Sequence, residues 1–289
     1  MQEMEPKVSR ISVRWARGGE GLDVESPLTV FSLGVRGGGK SAFLEALGEH
    51  YLAKGHNVLD LFGASSGEGL AWLRSPWVRE LKLPVLLIRG KRPVSCPWPV
   101  KAWEDLKLSD FEENRIVVSA TPLYEAKEEE FRAAGRVLDL LFGRQGWSKF
   151  IYLLVRESSN LFYSRIKLRK DQLESKAEAV YLIREARHHG LAFGMDSQKN
   201  SSIDIDFRAL LDFVVFKRQG IFSLPADYRW LYGFLDPVWL RNMKPGQFGI
   251  ISKRGSIGVG LNDLPPWHKR EREHLIKALG ISLEGGESS

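Results

Sequence analysis

A short glycine-rich segment, residues 34–41, has the residue types and spacing of a loop that binds phosphate. The template G-x-x-x-x-G-K-[ST] is matched by Gly34, Gly39, Lys40 and Ser41. In such a loop the backbone N–H groups of glycines converge on a β-phosphate, because no Cβ stands in the way. The lysine ammonium reaches the β- and γ-phosphates, and the serine hydroxyl ligates Mg²⁺. We therefore predict a nucleotide site whose binding residues are Gly34, Gly37, Gly38, Gly39, Lys40, Ser41 and Ala42, with Ser41 also the metal ligand.

The sequence on either side of this loop has the order of elements that the chemistry requires. Residues 28–33 are a β-branched and apolar run long enough for a buried strand. Apolar residues then recur at helical spacing from Phe43 to Leu52, and Gly55 lies where a helix C-cap is expected. A second apolar strand follows at 58–62. This order of strand, loop, helix and strand favours a bound nucleotide over the alternative, a flexible glycine-rich turn without a ligand.

A site that hydrolyses a nucleotide also needs acidic residues, normally at the end of a neighbouring buried strand, to order Mg²⁺ and activate water. The segment FIYLLVRESSN, residues 150–160, supplies an apolar strand followed by Arg156 and Glu157. We predict that Glu157 polarises the attacking water; the alternative is a first-turn carboxylate stabilised by the helix dipole. Arg156 stands where an aspartate near the metal is common, so Asp60, also at a strand end, is considered as its substitute.

The segment REARHHGLAFGMDSQ, residues 184–198, adds a third pattern, in which Arg187 is followed by Gly190, an apolar strand and Gln198. After a phosphate loop and an acidic strand, this spacing resembles the FtsK/HerA family of ring-shaped DNA motors. That family includes conjugative coupling proteins and viral genome-packaging ATPases. The resemblance covers residues 28–220 and implies that Arg187 is an arginine finger for a neighbouring subunit's γ-phosphate, which Gln198 senses. Considered one at a time, each residue has an alternative interpretation: Arg187 as a solvated helix residue, and Gln198 as a polar residue at the start of a loop.

The alternation of strand and helix patterns from residue 28 onward predicts an α/β fold. The resemblance implies a P-loop NTPase with a RecA-like, mostly parallel sheet covered by helices on both faces, plus a small C-terminal extension of helices and a hairpin. The expected segments are an N-terminal arm or edge strand at 1–27, an ATPase core at 28–220, the extension at 221–280 and a disordered tail at 281–289.

Composition limits the class of partner and the compartment. The 289 residues carry a formal net charge of +6 and a pI of about 9.3, which favours a polyanionic partner. No apolar run approaches the ~20 residues of a membrane span, so we expect none. The single cysteine, Cys96, excludes an internal disulfide and favours the cytoplasm, or the host cytoplasm for a viral protein.

A basic run with an aromatic neighbour follows the acidic strand, in the segment FYSRIKLRKD, residues 162–171. The corresponding region of a ring motor often faces the central pore. We therefore predict non-specific contact with the phosphate backbone of DNA through Arg165, Lys167, Arg169 and Lys170. A solvated charged helix is the alternative interpretation. Weaker candidates for DNA contact are Lys253 and Arg254 in a predicted hairpin turn, and Lys269 and Arg270.

These observations predict an ATP-hydrolysing motor that translocates double-stranded DNA, with ATP and Mg²⁺ as cofactors and a homo-oligomer, in particular a hexameric ring, as its assembly. Packaging or transfer of a viral or plasmid genome would suit such a motor. One alternative is a P-loop kinase or other phosphotransferase. The other is a nucleotide-regulated binding protein with little turnover, which the arginine at position 156 makes plausible.

Overall fold

The structure, a computed structural model, describes residues 6–62, 67–158, 181, 183–198, 209–221, 224, 226–268 and 275–283. Its strands are β1 (Ile11–Arg17), β2 (Thr29–Leu33), β3 (Asn57–Leu61), β4 (Val85–Arg89), β5 (Val94–Ser95), β6 (Val100–Ala102), β7 (Ile116–Ser119), β8 (Ile151–Val155), β9 (Leu191–Ser197), β10 (Phe213–Phe216), β11 (Gln247–Ser252), β12 (Ile257–Asn262) and β13 (Ser282–Leu283). Its α-helices are α1 (Lys40–Ala53), α2 (Pro76–Arg79), α3 (Leu108–Glu113), α4 (Lys127–Phe142), α5 (Pro237–Asn242) and α6 (Leu275–Ala278). Short 3₁₀ helices are Glu68–Arg74, Trp103–Asp105, Thr121–Leu123, Ala226–Gly233 and Pro266–His268.

Eleven of the thirteen described strands form one sheet in the order β1-β12-β11-β10-β2-β9-β8-β3-β7-β4-β6, and β13 and β5 form a separate pair. From β10 to β6 in this order all neighbours are parallel, whereas β11, β12 and β1 continue the sheet in antiparallel pairs. This architecture, flanked by helices, confirms the predicted α/β class with a mostly parallel sheet. Because the parallel strands share one direction, their carboxyl ends lie at one edge of the sheet.

The centre of the sheet is buried on both faces. Every residue of β2, β3, β8 and β9 is buried, as expected for strands covered by helices on each side. Their sequences are near-continuous apolar runs, which is why the sequence alone identifies them. Helix α1 lies directly against this region, and all but two of its 14 residues are buried.

A tyrosine on β8 fixes the position of α1. The Tyr152 hydroxyl donates to the Leu44 carbonyl oxygen at 3.1 Å, and the ring stacks on Tyr51 with centroids 4.9 Å apart. A Cβ at Gly194, on the neighbouring β9, would lie 1.8 Å from the Tyr152 hydroxyl oxygen. Glycine at 194 therefore makes room for the ring that holds α1, and with it the loop that precedes α1, over β8 and β9.

Segments near both chain ends add strands to this sheet. The strands β11 and β12 extend it beyond β10, and β1 pairs with β12 as an edge strand. Residues 282–283 form strand β13, although the sequence predicts a disordered tail from residue 281. Ile281 is buried and β13 pairs with β5, so an apolar anchor and a backbone ladder order residues 281–283. In the parts of the chain that the structure describes, no helix has the length and apolar character needed to cross a membrane.

Candidate nucleotide site

The loop between β2 and α1 has a conformation that requires glycine. Gly37 and Gly39 have φ angles of 72° and 88°, in the left-handed region that favours glycine. A Cβ at Gly39 would lie 2.4 Å from the carbonyl oxygen of Pro245. A Cβ at Gly34 would lie 2.9 Å from the Cβ of Lys217. The loop is thus a backbone cradle that side chains would obstruct.

Helix α1 directs its amino end at this loop. Its first intrahelical bond runs from Phe43 N to the Gly39 carbonyl oxygen at 3.1 Å, so the amides of residues 40–42 precede it. These N–H groups and the positive end of the helix dipole favour an anion. The buried ammonium of Lys40 donates to the Val35 carbonyl oxygen at 3.1 Å and therefore lies within the curve of the loop. The cradle, the helix end and the ammonium together fit the phosphates of a nucleotide.

The hydroxyl of Ser41 is held by a carboxylate from a neighbouring strand. Ser41 Oγ donates to Asp196 Oδ2 at 3.0 Å, and Asp196, near the carboxyl end of β9, is only 3% exposed. The other oxygen of the same carboxylate, Oδ1, accepts a hydrogen bond from Glu157 N at 2.7 Å. One carboxylate therefore connects the phosphate loop to the residue predicted to activate water. Hydroxyl and carboxylate oxygens suit Mg²⁺, so this pair fits the metal that accompanies a nucleotide.

Three of the predicted residues lie at the same edge of the sheet. Ser41 follows β2, Glu157 follows β8, and Gln198 follows β9, which lies between those two strands. Both Glu157 and Gln198 are exposed. Glu157 has a φ of 47°, a left-handed conformation that is uncommon for a residue other than glycine. Such strain persists only where the surroundings impose it, and here the N–H bond to Asp196 does so.

Asp196 is a residue that the sequence analysis does not assign to the site. A signal was present, because Asp196 is an acid at the end of an apolar strand, two residues before Gln198. In the sequence pattern, this strand is the spacer between Arg187 and Gln198. Nothing local to that segment indicates that its carboxylate faces Ser41, since the contact joins residues 155 positions apart in the chain.

Arg156 and Asp60 form a buried cluster of their own instead of meeting Ser41. Arg156 Nε donates to Asp60 Oδ1 at 2.8 Å, and Arg156 Nη2 donates to Glu45 Oε1 at 2.6 Å. Trp72 Nε1 donates to the second oxygen of Asp60 at 2.9 Å. All three charged side chains are at most 1% exposed. The structure therefore gives Asp60 the role of neutralising Arg156, and the expectation that Asp60 stands near the metal is not supported.

The charges of Arg156 and Glu45 in this cluster stabilise each other, whereas burial outweighs Arg156 at Asp60 and raises the pKa of that carboxyl. Burial alone would lower the pKa of Arg156, but the carboxylates of Asp60 and Glu45 outweigh it and hold that pKa well above its usual value. Burial would raise the pKa of Glu45, but His268 and Arg156 outweigh it and lower that pKa. His268 contacts the second oxygen of Glu45 through Nδ1. Arg156 is thus a charged structural residue, placed directly before Glu157 in the chain.

Arg187 lies at the opposite end of the parallel strands, where β2, β9 and β10 begin. It precedes β9, and its Nη2 donates at 2.7 Å to Oδ1 of Asp212, the residue before β10. The second oxygen of Asp212 accepts a hydrogen bond at 3.0 Å from the N–H of Thr29, where β2 begins. The Arg187 side chain is 68% exposed and lines a cavity of about 750 Å³ together with Lys253 and Arg254 of the β11–β12 turn. The fold therefore separates Arg187 from the phosphate loop of its own chain.

The predicted DNA contacts lie outside the described residues; they are Arg165, Lys167, Arg169 and Lys170, with Lys269 and Arg270 among the weaker candidates. Within the described ranges, no group of three or more His, Cys, Asp or Glu side chains is arranged to hold a metal.

No family profile matches the chain, and no curated protein matches it in sequence. Solved structures do match it. The pCW3 conjugation coupling protein TcpA with ATPγS is 12% identical over 93% of this chain and 69% of that chain, with a TM-score of 0.50. The genome-packaging NTPase B204 of Sulfolobus turreted icosahedral virus 2, with ATPγS, is 14% identical over 81% of this chain and 96% of that chain, with a TM-score of 0.45. ATPases 2 and 3 of EccC from Thermomonospora curvata are 16% identical over 82% of this chain and 38% of that chain, with a TM-score of 0.49.

At these identities the likeness concerns the fold. The chain shares its fold with TcpA over 93% of its length. The resemblance that rests on the phosphate loop, the acidic strand and the arginine-to-glutamine spacing is thereby confirmed at the level of the fold.

Proposed function

We propose that this chain is an ATP-hydrolysing motor that translocates double-stranded DNA as a homo-oligomeric ring. The observation that carries the ATPase is the convergence, at one edge of a parallel sheet, of the glycine cradle with Lys40, Ser41, Asp196 and Glu157. DNA as the partner is supported by the net charge of +6 and by the fold shared with TcpA, a conjugation coupling protein. The ring is supported by the position of Arg187, far from its own phosphate loop.

Each residue at the cradle has a defined task in this proposal. The loop amides and the Lys40 ammonium hold the β- and γ-phosphates of ATP. Bound Mg²⁺, with Ser41 as its protein ligand, supplies charge neutralisation at those phosphates. Glu157, exposed at the end of β8, accepts a proton from the attacking water. Gln198 donates a hydrogen bond to the γ-phosphate from the end of β9, between the loop and Glu157.

Arg187 makes hydrolysis depend on assembly. When the phosphate loop of a neighbouring subunit faces Arg187, the Arg187 guanidinium reaches the γ-phosphate of the ATP bound there. Its positive charge then stabilises the transition state. The exposure of Arg187 leaves it accessible to such a neighbour. The ATPase rate per subunit is therefore expected to rise with protein concentration.

The experiment is a measurement of ATPase rate against protein concentration, with and without duplex DNA, with Lys40→Ala as the inactive control. We expect a rate per subunit that rises with concentration and is stimulated by duplex DNA. Loss of turnover in Lys40→Ala ties the rate to the phosphate loop, because Lys40 brings the charge of that loop to the β- and γ-phosphates. Phosphoryl transfer to a small acceptor without DNA stimulation would favour a kinase. ATP binding without turnover under any condition would favour a nucleotide-regulated binding protein.

A further inference from the structure

Asp196 is a buried carboxylate whose partners come from both halves of the nucleotide site. Its two oxygens accept hydrogen bonds from Ser41 Oγ at 3.0 Å and Glu157 N at 2.7 Å. Its backbone carbonyl oxygen accepts a third hydrogen bond, from Ser158 Oγ at 2.7 Å. A buried carboxylate is costly unless it is hydrogen-bonded, and both carboxylate partners here are neutral donors. The negative charge of Asp196 therefore remains available to a cation at Ser41.

The strand order explains how one residue reaches both partners. Strand β9 lies between β2, which leads into the phosphate loop, and β8, which leads into Glu157. Asp196 is in register with Ser32 on β2, and the residue before it, Met195, is in register with Val155 on β8. A carboxylate at this position of β9 thus lies between the ends of the two strands that carry the chemistry.

The strand that carries Glu157 has no acid of its own at the preceding position. Arg156 occupies that position, and its guanidinium is bonded to Asp60 and Glu45 at 2.8 and 2.6 Å. Those two carboxylates are fully buried and neutralise the arginine. Among the described residues, Asp196 is the carboxylate that contacts the hydroxyl of Ser41.

We infer that Asp196 is the positioning carboxylate of this site: it orients the Ser41 hydroxyl toward Mg²⁺ and holds the backbone that carries Glu157. The inference rests on the proposed ATP hydrolysis. Because Asp196 accepts the hydrogen bond from the Ser41 hydroxyl, the lone pairs of Ser41 Oγ point away from Asp196 and can bind the metal. The negative charge of Asp196 also raises the affinity of the site for a divalent cation. The acid that this chemistry needs thus lies on β9, the neighbour of the strand that leads into Glu157.

Asp196→Asn isolates this role, because the amide has nearly the shape of the carboxylate. An amide offers one acceptor oxygen and one NH₂ donor, whereas the partners of Asp196 are an O–H and an N–H that both donate. The variant therefore loses the charge and can keep only one of the two contacts as it stands. No cavity is created, so packing around β9 is preserved.

The test is a calorimetric titration of the full chain with ATPγS, in Mg²⁺ and in EDTA. For the wild type we expect Mg²⁺ to tighten binding. For Asp196→Asn we expect binding in EDTA at least as tight as that of the wild type, because a negative charge near the phosphates is gone. The gain from Mg²⁺ should fall by ~10-fold or more. A purely structural role would instead weaken binding equally under both conditions.

Glu49→Gln is the matched control. Glu49 is a buried carboxylate on α1 that also accepts from neutral donors, Ser9 N at 2.9 Å and Trp267 Nε1 at 2.8 Å. We expect this variant to lower the melting temperature and to keep the full gain from Mg²⁺. The double variant Ser41→Ala with Asp196→Asn should lose less of the Mg²⁺ gain than the two single losses added together, because the orienting part of the Asp196 effect acts through Ser41.

The outcomes separate this inference from the proposed function. A wild-type chain that does not bind ATPγS, or binds it without any response to Mg²⁺, contradicts the proposed ATPase. A normal Mg²⁺ response in the wild type that Asp196→Asn retains overturns the role of Asp196 alone. If melting curves show that Asp196→Asn does not fold, the smaller neutral variant Asp196→Ser takes its place in the same comparison.

Discussion

The hydroxyl of Ser41 and the guanidinium of Arg187 lie at opposite edges of the same sheet. Ser41 follows the carboxyl end of β2, whereas Arg187 precedes β9 and is bonded to Asp212, which contacts the first residue of β2. The intervening β9 has seven residues. At ~3.3 Å per residue the two edges are roughly 20 Å apart, which is beyond the reach of an arginine side chain. Arg187 can act on a nucleotide only if that nucleotide is bound to another chain.

Arg187→Ala should therefore bind ATP nearly normally, because its own Lys40 and Ser41 are intact. Its hydrolysis should fall by ~10³ or more, the contribution of arginine fingers in other nucleotide enzymes. Mixing Arg187→Ala with the inactive Lys40→Ala should recover some activity. In a mixed assembly, a subunit with an intact loop can sit beside one whose Arg187 survives, and a steady-state ATPase assay of the mixture measures this rescue.

Arg184→Ala is the control for this experiment, since Arg184 is an exposed arginine three residues away. It should hydrolyse ATP at the wild-type rate. Absence of rescue between Arg187→Ala and Lys40→Ala, in assemblies shown to exchange subunits, would rule out action on a neighbouring subunit. It would also remove the main support for a ring.

Glu157→Gln should keep ATP binding and lose hydrolysis. The amide keeps the shape of the side chain but cannot accept a proton from water, and general-base catalysis typically contributes ~10²–10⁴-fold. The backbone bond from residue 157 to Asp196 does not depend on the side chain, so the turn should persist. Nucleotide affinity and single-turnover hydrolysis are measured separately. An equal loss of both would indicate that Glu157 is structural.

The sequence predicts those parts of the site that depend on local pattern. The loop, the start of α1 and the position of Glu157 after an apolar strand can all be read from contiguous residues. Asp196 could not be assigned in this way, because its role depends on which strands are neighbours in the sheet. The pairing of β11 with β10 likewise depends on partners distant in the chain, so the hairpin was expected as an extension although its strands continue the sheet.

Arg156 shows what a local pattern leaves undetermined. From the sequence, an arginine in the place of an acid near the metal suggests weak turnover. In the structure its guanidinium faces Asp60 and Glu45, on β3 and α1, and no local feature of the segment before Glu157 indicates those partners. The residue type was informative about charge, but the strand order decided which neighbours that charge meets.

Arg156→Met should destabilise the fold by ~3–5 kcal/mol, because it leaves the buried carboxylates of Asp60 and Glu45 without their counter-charge. Chemical denaturation at neutral pH measures this free energy of unfolding. The control is Arg241→Met, which removes an exposed arginine and should change stability by about 0.5 kcal/mol or less. A variant at 156 as stable as the wild type would show that the cluster carries no net electrostatic stabilisation.

Glu130, in the first turn of α4, should make stability depend on pH. Burial raises its pKa to about 7, although Thr121 Oγ1 donates to it at 2.8 Å. Between the unfolded value near 4.5 and about 7 the folded chain binds the extra proton, so this group's contribution to stability falls as pH rises through that window. Glu130→Gln removes the effect and should be more stable than the wild type by roughly 2–3 kcal/mol at pH 8, and nearly equal below pH 4.5.

The same substitution at Glu125 is the control for this measurement, because Glu125 is exposed just before α4. The free energy of unfolding of Glu125→Gln should differ from that of the wild type by the same amount at every pH. If the difference between Glu130→Gln and the wild type did not change with pH, the pKa of Glu130 would be the same in the folded and the unfolded chain, and burial would not perturb it.

Binding to duplex DNA should be steeply salt-dependent and should show little sequence preference, because phosphate contacts carry it. With Z phosphates neutralised, log K falls against log salt with a slope of about −0.9Z. Neutralising the predicted contacts Arg165, Lys167, Arg169 and Lys170 together should flatten that slope in fluorescence-anisotropy titrations. The comparison variant neutralises Lys253 and Arg254, which line the cavity beside Arg187. If the slope flattened only in this second variant, DNA would contact the edge that carries Arg187 instead of the predicted run.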